Sequence, residues 1–162
     1  MKKGYLANGL FTIGDRLVNT FISQAARYNL KDLELFVPQE QPFNDKSTYA
    51  DSQTIAQGDV KALMESDFLI AVIDGIEIDS GVAAEIGMFY TTGKPIYALY
   101  SDVRQEGRDN EEKIKALIED GTENQFMYRN LFVVGIIKEN GKIFSDIDSL
   151  IDQIEEDFKG EE

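Results

Sequence analysis

The chain contains no cysteine, no histidine and no tryptophan. Without cysteine, disulfides and thiolate nucleophiles are excluded, and a cytoplasmic setting is the expectation. Without histidine, the commonest general base and transition-metal ligand is missing, and with it every Ser-His or Cys-His arrangement. Basic residues are scarce: 16 Lys and Arg stand against 30 Asp and Glu, a formal net charge of -14. A phosphate backbone or an anionic membrane needs a basic stripe, so neither nucleic acid nor membrane is an expected partner. No apolar run approaches a membrane span, and the opening Met1-Lys-Lys-Gly-Tyr5 has no signal core. The segment Gly9 to Gly14 lacks G-x-G-x-x-G spacing, no P-loop pattern occurs, and cations are not clustered apart from Arg16. Carboxylates are left as the groups able to carry chemistry.

What is present is an alternation of strand and helix. At 162 residues with 43% hydrophobic content, residues 1–162 read as one domain with a proper core. Strands are expected at Gly4–Ala7, Leu33–Val37 (ended by Pro38), Phe68–Ile73, Pro95–Tyr100 and Leu131–Ile137. Helices are expected at Gly14–Tyr28, buried through Leu17, Phe21, Ile22 and Ala25, then at Thr54–Glu65, around Glu85, and at Asp109–Glu119. Gly141 marks a turn before an amphipathic terminal helix in the Asp146 to Glu162 segment, whose apolar face is Ile147, Leu150, Ile151, Ile154 and Phe158. The charged stretch from Asp102 to Glu123, with Gly107 and Gly121, reads as an insertion. Five strands interleaved with helices imply an α/β fold with a doubly wound, five-stranded parallel sheet, in the usual order 2-1-3-4-5. Ligands in such sheets sit beyond the carboxyl ends of the strands, on the loops after strands one, two and three.

The most informative segment lies on that rim. Asp67-Phe-Leu-Ile-Ala-Val-Ile-Asp74 is an unbroken apolar run, as expected of a strand buried on both faces. A short turn leads to Asp79-Ser-Gly81-Val-Ala-Ala-Glu85-Ile-Gly, a neutral helix capped by Asp79 or Ser80 with one carboxylate inside it. Helical side chains lean toward the N-terminus, so Glu85 leans back toward the rim. There Asp59, Asp79 and Glu85 could converge, and acids so grouped serve glycosidic chemistry, one ionised and one carrying a proton. Against this stands the plainer reading, in which Asp79 is only a cap and Glu85 only a rim residue. Tyr5 ends the first strand, either as a donor to Glu85 or as a core aromatic. Leu10 and Phe11, beside Asn8 and Gly9, suit the wall of a pocket for a flat ring or a cap on the core.

Three segments together resemble the nucleoside 2′-deoxyribosyltransferase family. They are Tyr5-Leu-Ala-Asn-Gly-Leu-Phe11-Thr; Gly58-Asp59 followed by Asp79-Ser-Gly-Val-Ala-Ala-Glu85-Ile-Gly; and Asn130-Leu-Phe-Val-Val-Gly135. The resemblance implies a flavodoxin-like subunit that transfers the deoxyribosyl group of a deoxynucleoside to a free nucleobase, in nucleoside salvage, with no cofactor and no metal. It makes Glu85 the nucleophile at C1′ and Tyr5 its orienting group. Asp59 and Asp79 would hold the sugar, with Asp79 assisting proton transfer. Substrate contacts would come from Asn8, Gly9, Leu10, Phe11, Gln41, Gly81, Asn130 and Phe132. Asn130 would be supplied across an interface of a homo-oligomer, a dimer or a hexamer. Two departures stand out: Leu10 occupies the place where family members commonly carry tryptophan, and Val103 to Gly121 are extra. Two rivals remain, an N-glycosidic hydrolase of deoxynucleosides or their 5′-monophosphates, and a non-catalytic nucleotide-sensing domain of the same fold.

Overall fold

The computed structural model describes residues 1–159, so the last three positions of the expected domain and of its acidic terminal segment lie outside the described residues. The strands β1 (Lys2–Ala7), β2 (Leu33–Phe36), β3 (Phe68–Val72), β4 (Ile96–Leu99) and β5 (Gly141–Phe144) form one parallel sheet in the order β2-β1-β3-β4-β5. The helices are α1 (Ile13–Asn29), α2 (Ser52–Glu65), α3 (Ser80–Tyr90), α4 (Glu111–Glu119), α5 (Leu131–Asn140) and α6 (Ile147–Phe158). The fold class and strand order are those expected from the alternation.

The strand period of two divides the sheet's side chains between two cores. Leu6, Ile70, Val72 and Leu99 face α1 and α6, meeting Ile22, Ala26, Leu150, Ile151 and Ile154. Tyr5, Ala7, Leu69, Ala71 and Ile73 face the other way, against Leu63 of α2, Val82, Ile86 and Phe89 of α3, and Val133 and Ile137 of α5. Every residue of β3 is buried, as its unbroken apolar run requires. Tyr5 falls on the α3 side by this parity, and that places it under Glu85.

Two expectations are corrected. Leu131–Ile137 is not the fifth strand; it belongs to α5, and the strand is Gly141–Phe144. A short apolar run cannot distinguish strand from helix by periodicity. Here the cap decides: the Asn130 side-chain oxygen accepts from the Phe132 and Val133 amides at 3.0 and 3.3 Å. Burial then falls four residues apart, at Val133 and Ile137, while Leu131 and Phe132 face outward. Gly141 opens β5 because a Cβ there would lie 1.8 Å from the Ile96 carbonyl oxygen. The second correction concerns α1, where Leu17 and Phe21 are 65% and 62% exposed. Its inward face is Asn19, Ile22, Ser23 and Ala26, since the helix carries two apolar stripes and only one meets the sheet.

Candidate active site

At the rim, the Tyr5 hydroxyl donates to Glu85 Oε1 at 2.5 Å. The two residues are 80 apart in sequence, and the sheet brings them together because β1 and β3 are neighbours and α3 follows β3. Tyr5 is fully buried and stacks on Phe36 with ring centroids 5.2 Å apart. Its hydroxyl is therefore rigid. Burial pushes the Tyr5 phenol far above the usual range, with the Glu85 charge and hydrogen bond and the Asp59 charge adding to it, so it stays a proton donor.

The Glu85 carboxyl is pushed up to about 7, chiefly by burial. The Tyr5 hydrogen bond pulls it down, while the charges of Asp59 and Asp79 push it up further. Asp59 sits on α2, one residue after Gly58, where a Cβ would meet the Phe43 ring at 2.6 Å. That close approach brings Asp59 to the loop after β2, where the buried Asn44 amide donates to Asp59 Oδ1 at 3.4 Å. Burial raises the Asp59 carboxyl, against the lowering effects of Asn44 and Lys46.

Asp79 caps α3: its Oδ1 accepts from the Gly81 and Val82 amides at 2.8 and 3.2 Å. The plain reading of Asp79 as a cap is therefore correct for one oxygen. Among the described residues its second oxygen has no hydrogen-bond partner. The Gly81 N–H is committed to this cap.

A cleft of about 730 Å³ opens between the loops after β1 and β2, lined in part by Leu10, Phe11, Gln39, Gln41, Asn44 and Lys46. Asn44 joins it to the acids. An amide chain that sequence reasoning missed holds its two walls together. Buried Asn19 accepts from Asn8 Nδ2 at 2.9 Å and donates to the Gly9 carbonyl at 2.9 Å and to Gln39 Oε1 at 3.0 Å. A polar residue on the inward face of an amphipathic helix was the available signal. Phe11 is exposed at the cleft mouth, with the Lys46 ammonium 5.7 Å from its ring. The Gln41 amide donates to the Val37 carbonyl at 3.3 Å.

Asn130 and Phe132 do not join this cluster within the protomer. Asn130 is exposed and its side-chain oxygen caps α5, and Phe132 is 77% exposed beside Leu131. Sequence reasoning also passed over their neighbour Arg129, which is buried against the loop between β3 and α3. Among the described residues no group of three potential ligands is placed to hold a metal ion. The arrangement presents one carboxylate held by a phenol, two further acids, and an adjoining cleft with apolar and amide walls.

The family model for nucleoside 2-deoxyribosyltransferase matches residues 5–127. A conserved protein of known structure from Enterococcus faecalis V583 is 44% identical, over 98% of this chain and 99% of that one, with a TM-score of 0.90. A 2-deoxyribosyltransferase from Bacillus psychrosaccharolyticus shares the fold at 19% identity, over 92% of this chain and 90% of that one, with a TM-score of 0.65. A CMP N-glycosidase from Clostridium botulinum shares it more loosely, at 16% identity over 97% and 100% of the two chains and a TM-score of 0.51. No curated protein matches significantly in sequence.

Proposed function

The chain belongs to the nucleoside 2-deoxyribosyltransferase family, and from that premise we propose that it moves a 2′-deoxyribosyl group between nucleobases through a covalent Glu85 intermediate. The observation that carries this reading is the Tyr5–Glu85 pair: a carboxylate at the strand rim, oriented by a buried phenol at 2.5 Å. In the first step a Glu85 oxygen bonds to C1′ as the C1′–N bond breaks, its electron pair leaving with the base. The leaving base takes up a proton from solvent, with the Asp79 oxygen not used in capping as the relay. The second base then attacks C1′ through nitrogen, loses its proton and releases Glu85. Asp59 holds a sugar hydroxyl, and the cleft lined by Leu10, Phe11 and Gln41 receives the base.

The nucleophile must be ionised, and its carboxyl stands at about 7. Activity therefore rises with pH toward neutrality and falls as acid protonates Glu85. The price of a nucleophile this basic is a reduced ionised fraction; the gain is a stronger attacking group. A transferase must also keep water away until the second base arrives. The exposed Leu131 and Phe132, with Asn130 beside them, suit a subunit interface that closes the site, so the active form is a homo-oligomer.

Hydrolysis of the same bond is the second reading. The fold shared with the CMP N-glycosidase favours it, as does the open cleft beside Asp59. One assay decides. The protein is incubated with deoxyadenosine and cytosine, beside Glu85→Ala. Deoxycytidine formed only with Glu85 supports transfer, adenine without deoxycytidine supports hydrolysis, and no turnover of any deoxynucleoside or deoxynucleotide refutes both.

A further inference from the structure

Among the described residues, Arg129 is the only charged residue that is buried, at 7% exposure. Its guanidinium has no close carboxylate of its own. Asp102 lies 4.0 Å away, but Arg104 holds that carboxylate at 2.6 Å. Carbonyls partner Arg129 instead: Nη2 donates to the Gly75 carbonyl at 2.6 Å, and Nη1 donates to those of Ile76 at 3.3 Å and Tyr128 at 2.9 Å. The Tyr100 ring lies under the guanidinium, with its centroid at 4.5 Å. A buried charge is costly unless its donors are satisfied, and these carbonyls serve both terminal nitrogens, while Nε has no hydrogen-bond partner among the described residues.

Those carbonyls belong to the turn that delivers Asp79. Gly75 is in the left-handed region at φ +96°, where the chain leaves β3. Asp74, just before it, is tied to the chain just beyond β4 through the Ser101 amide and hydroxyl at 2.7 and 2.6 Å. Asp79, at the far end, is fixed by capping α3. Between them, among the described residues, the Arg129 bonds are the only hydrogen bonds that reach positions 75–78. The arginine itself is anchored in the 102–128 segment, which is cross-linked internally. Lys113 donates to the Arg104 and Glu106 carbonyls at 2.9 and 2.7 Å, and Gln105 donates to that of Met127 at 3.3 Å.

We propose that Arg129 is a positioning residue: it clamps the 75–78 turn to the 102–128 segment and so holds the loop by which β3 leads to the site end of α3. Its kinetic part rests on the function proposed above, whereas the clamping of the turn does not. The extra segment between α3 and α5 is then a brace for the site.

The test compares the parent with Arg129→Met and Arg129→Lys, by kinetics and by hydrogen exchange of the full chain. In Arg129→Met, kcat falls about tenfold or more while KM for the acceptor base changes little. Amides at positions 75–82 exchange about tenfold faster or more, while those of β3 and β4 keep their protection. Arg129→Lys recovers part of each effect, because one ammonium reaches one carbonyl; it also carries the test if the methionine variant does not fold. Parental exchange at 75–82 overturns the proposal, as does uniformly faster exchange across the chain. A parental kcat, or a loss carried by KM alone, overturns the kinetic part. If the parent turns over no nucleoside, the proposed function has failed, and the exchange pattern still decides whether Arg129 clamps the turn.

Discussion

Glu85→Gln should make the protein more stable than the parent near pH 8 and leave it almost unchanged near pH 5. The folded carboxyl keeps its proton up to about 7, against an ordinary value of 4.5. Between those values the folded state binds a proton that the unfolded state has released, so stability falls as pH rises. Above the folded value the whole loss is in place. At 1.36 kcal/mol per pH unit, the gap amounts to about 3 kcal/mol, an upper figure because water relaxes part of the burial. Glutamine carries no charge at any of these pH values, and its carbonyl oxygen can still accept from Tyr5. The variant therefore escapes the loss. Urea unfolding at both pH values, at one protomer concentration, measures it. With a slope of about 1–3 kcal/mol per molar urea, the variant's midpoint should exceed the parent's by about 1 M or more near pH 8. A gap between variant and parent that does not change with pH would refute the reasoning, because Glu85 would then titrate like an exposed carboxylate. The stability given up at neutral pH is what holding a desolvated carboxylate costs.

Three further outcomes follow from the same geometry. Tyr5→Phe removes a hydrogen bond to a charged group, worth about 1.5–3 kcal/mol, so kcat should fall roughly 10- to 100-fold. Its acid limb should move to higher pH, because the phenol's donation lowers the Glu85 carboxyl; steady-state rates across pH check both. Asp59→Asn removes a charge that raises Glu85, so the acid limb should move to lower pH while KM for the nucleoside rises through the lost sugar contact. Gly141→Ala places a methyl against the Ile96 carbonyl oxygen, where a Cβ would stand at 1.8 Å. The backbone of β4 or β5 must shift, and urea unfolding should show a loss of about 3 kcal/mol or more.

Much of the layout was legible because it rests on local patterns. The β3 run is apolar at every position because both its faces are covered, and Asp79 before a small-residue stretch is a cap signal that depends on no distant partner. The acidic face of α6 likewise reads directly from its 3.6-residue period. Where two local signals conflicted, reading failed. Leu131 to Ile137 has the apolar density of a strand, whereas the Asn130 cap that makes it a helix is a single-residue signal. In α1, Leu17 and Phe21 are as apolar as Ile22, and only docking against the sheet decided which stripe went inward.

The site divides along the same line. The sequence alone determined that neither histidine nor cysteine chemistry is available here, and that one carboxylate sits inside a neutral helix beside the sheet's carboxyl edge. Those are matters of composition and of periods within a single element. Tertiary structure decided that the Tyr5 phenol reaches Glu85, that Asn19 joins two cleft walls, and that buried Arg129 holds the turn before Asp79. Each of these joins groups on different elements, and its existence depends on strand order, side-chain parity and the exclusion of water. The raised Glu85 carboxyl belongs with them: a residue's type supplies the charge, but only burial among other acids makes that charge expensive at neutral pH.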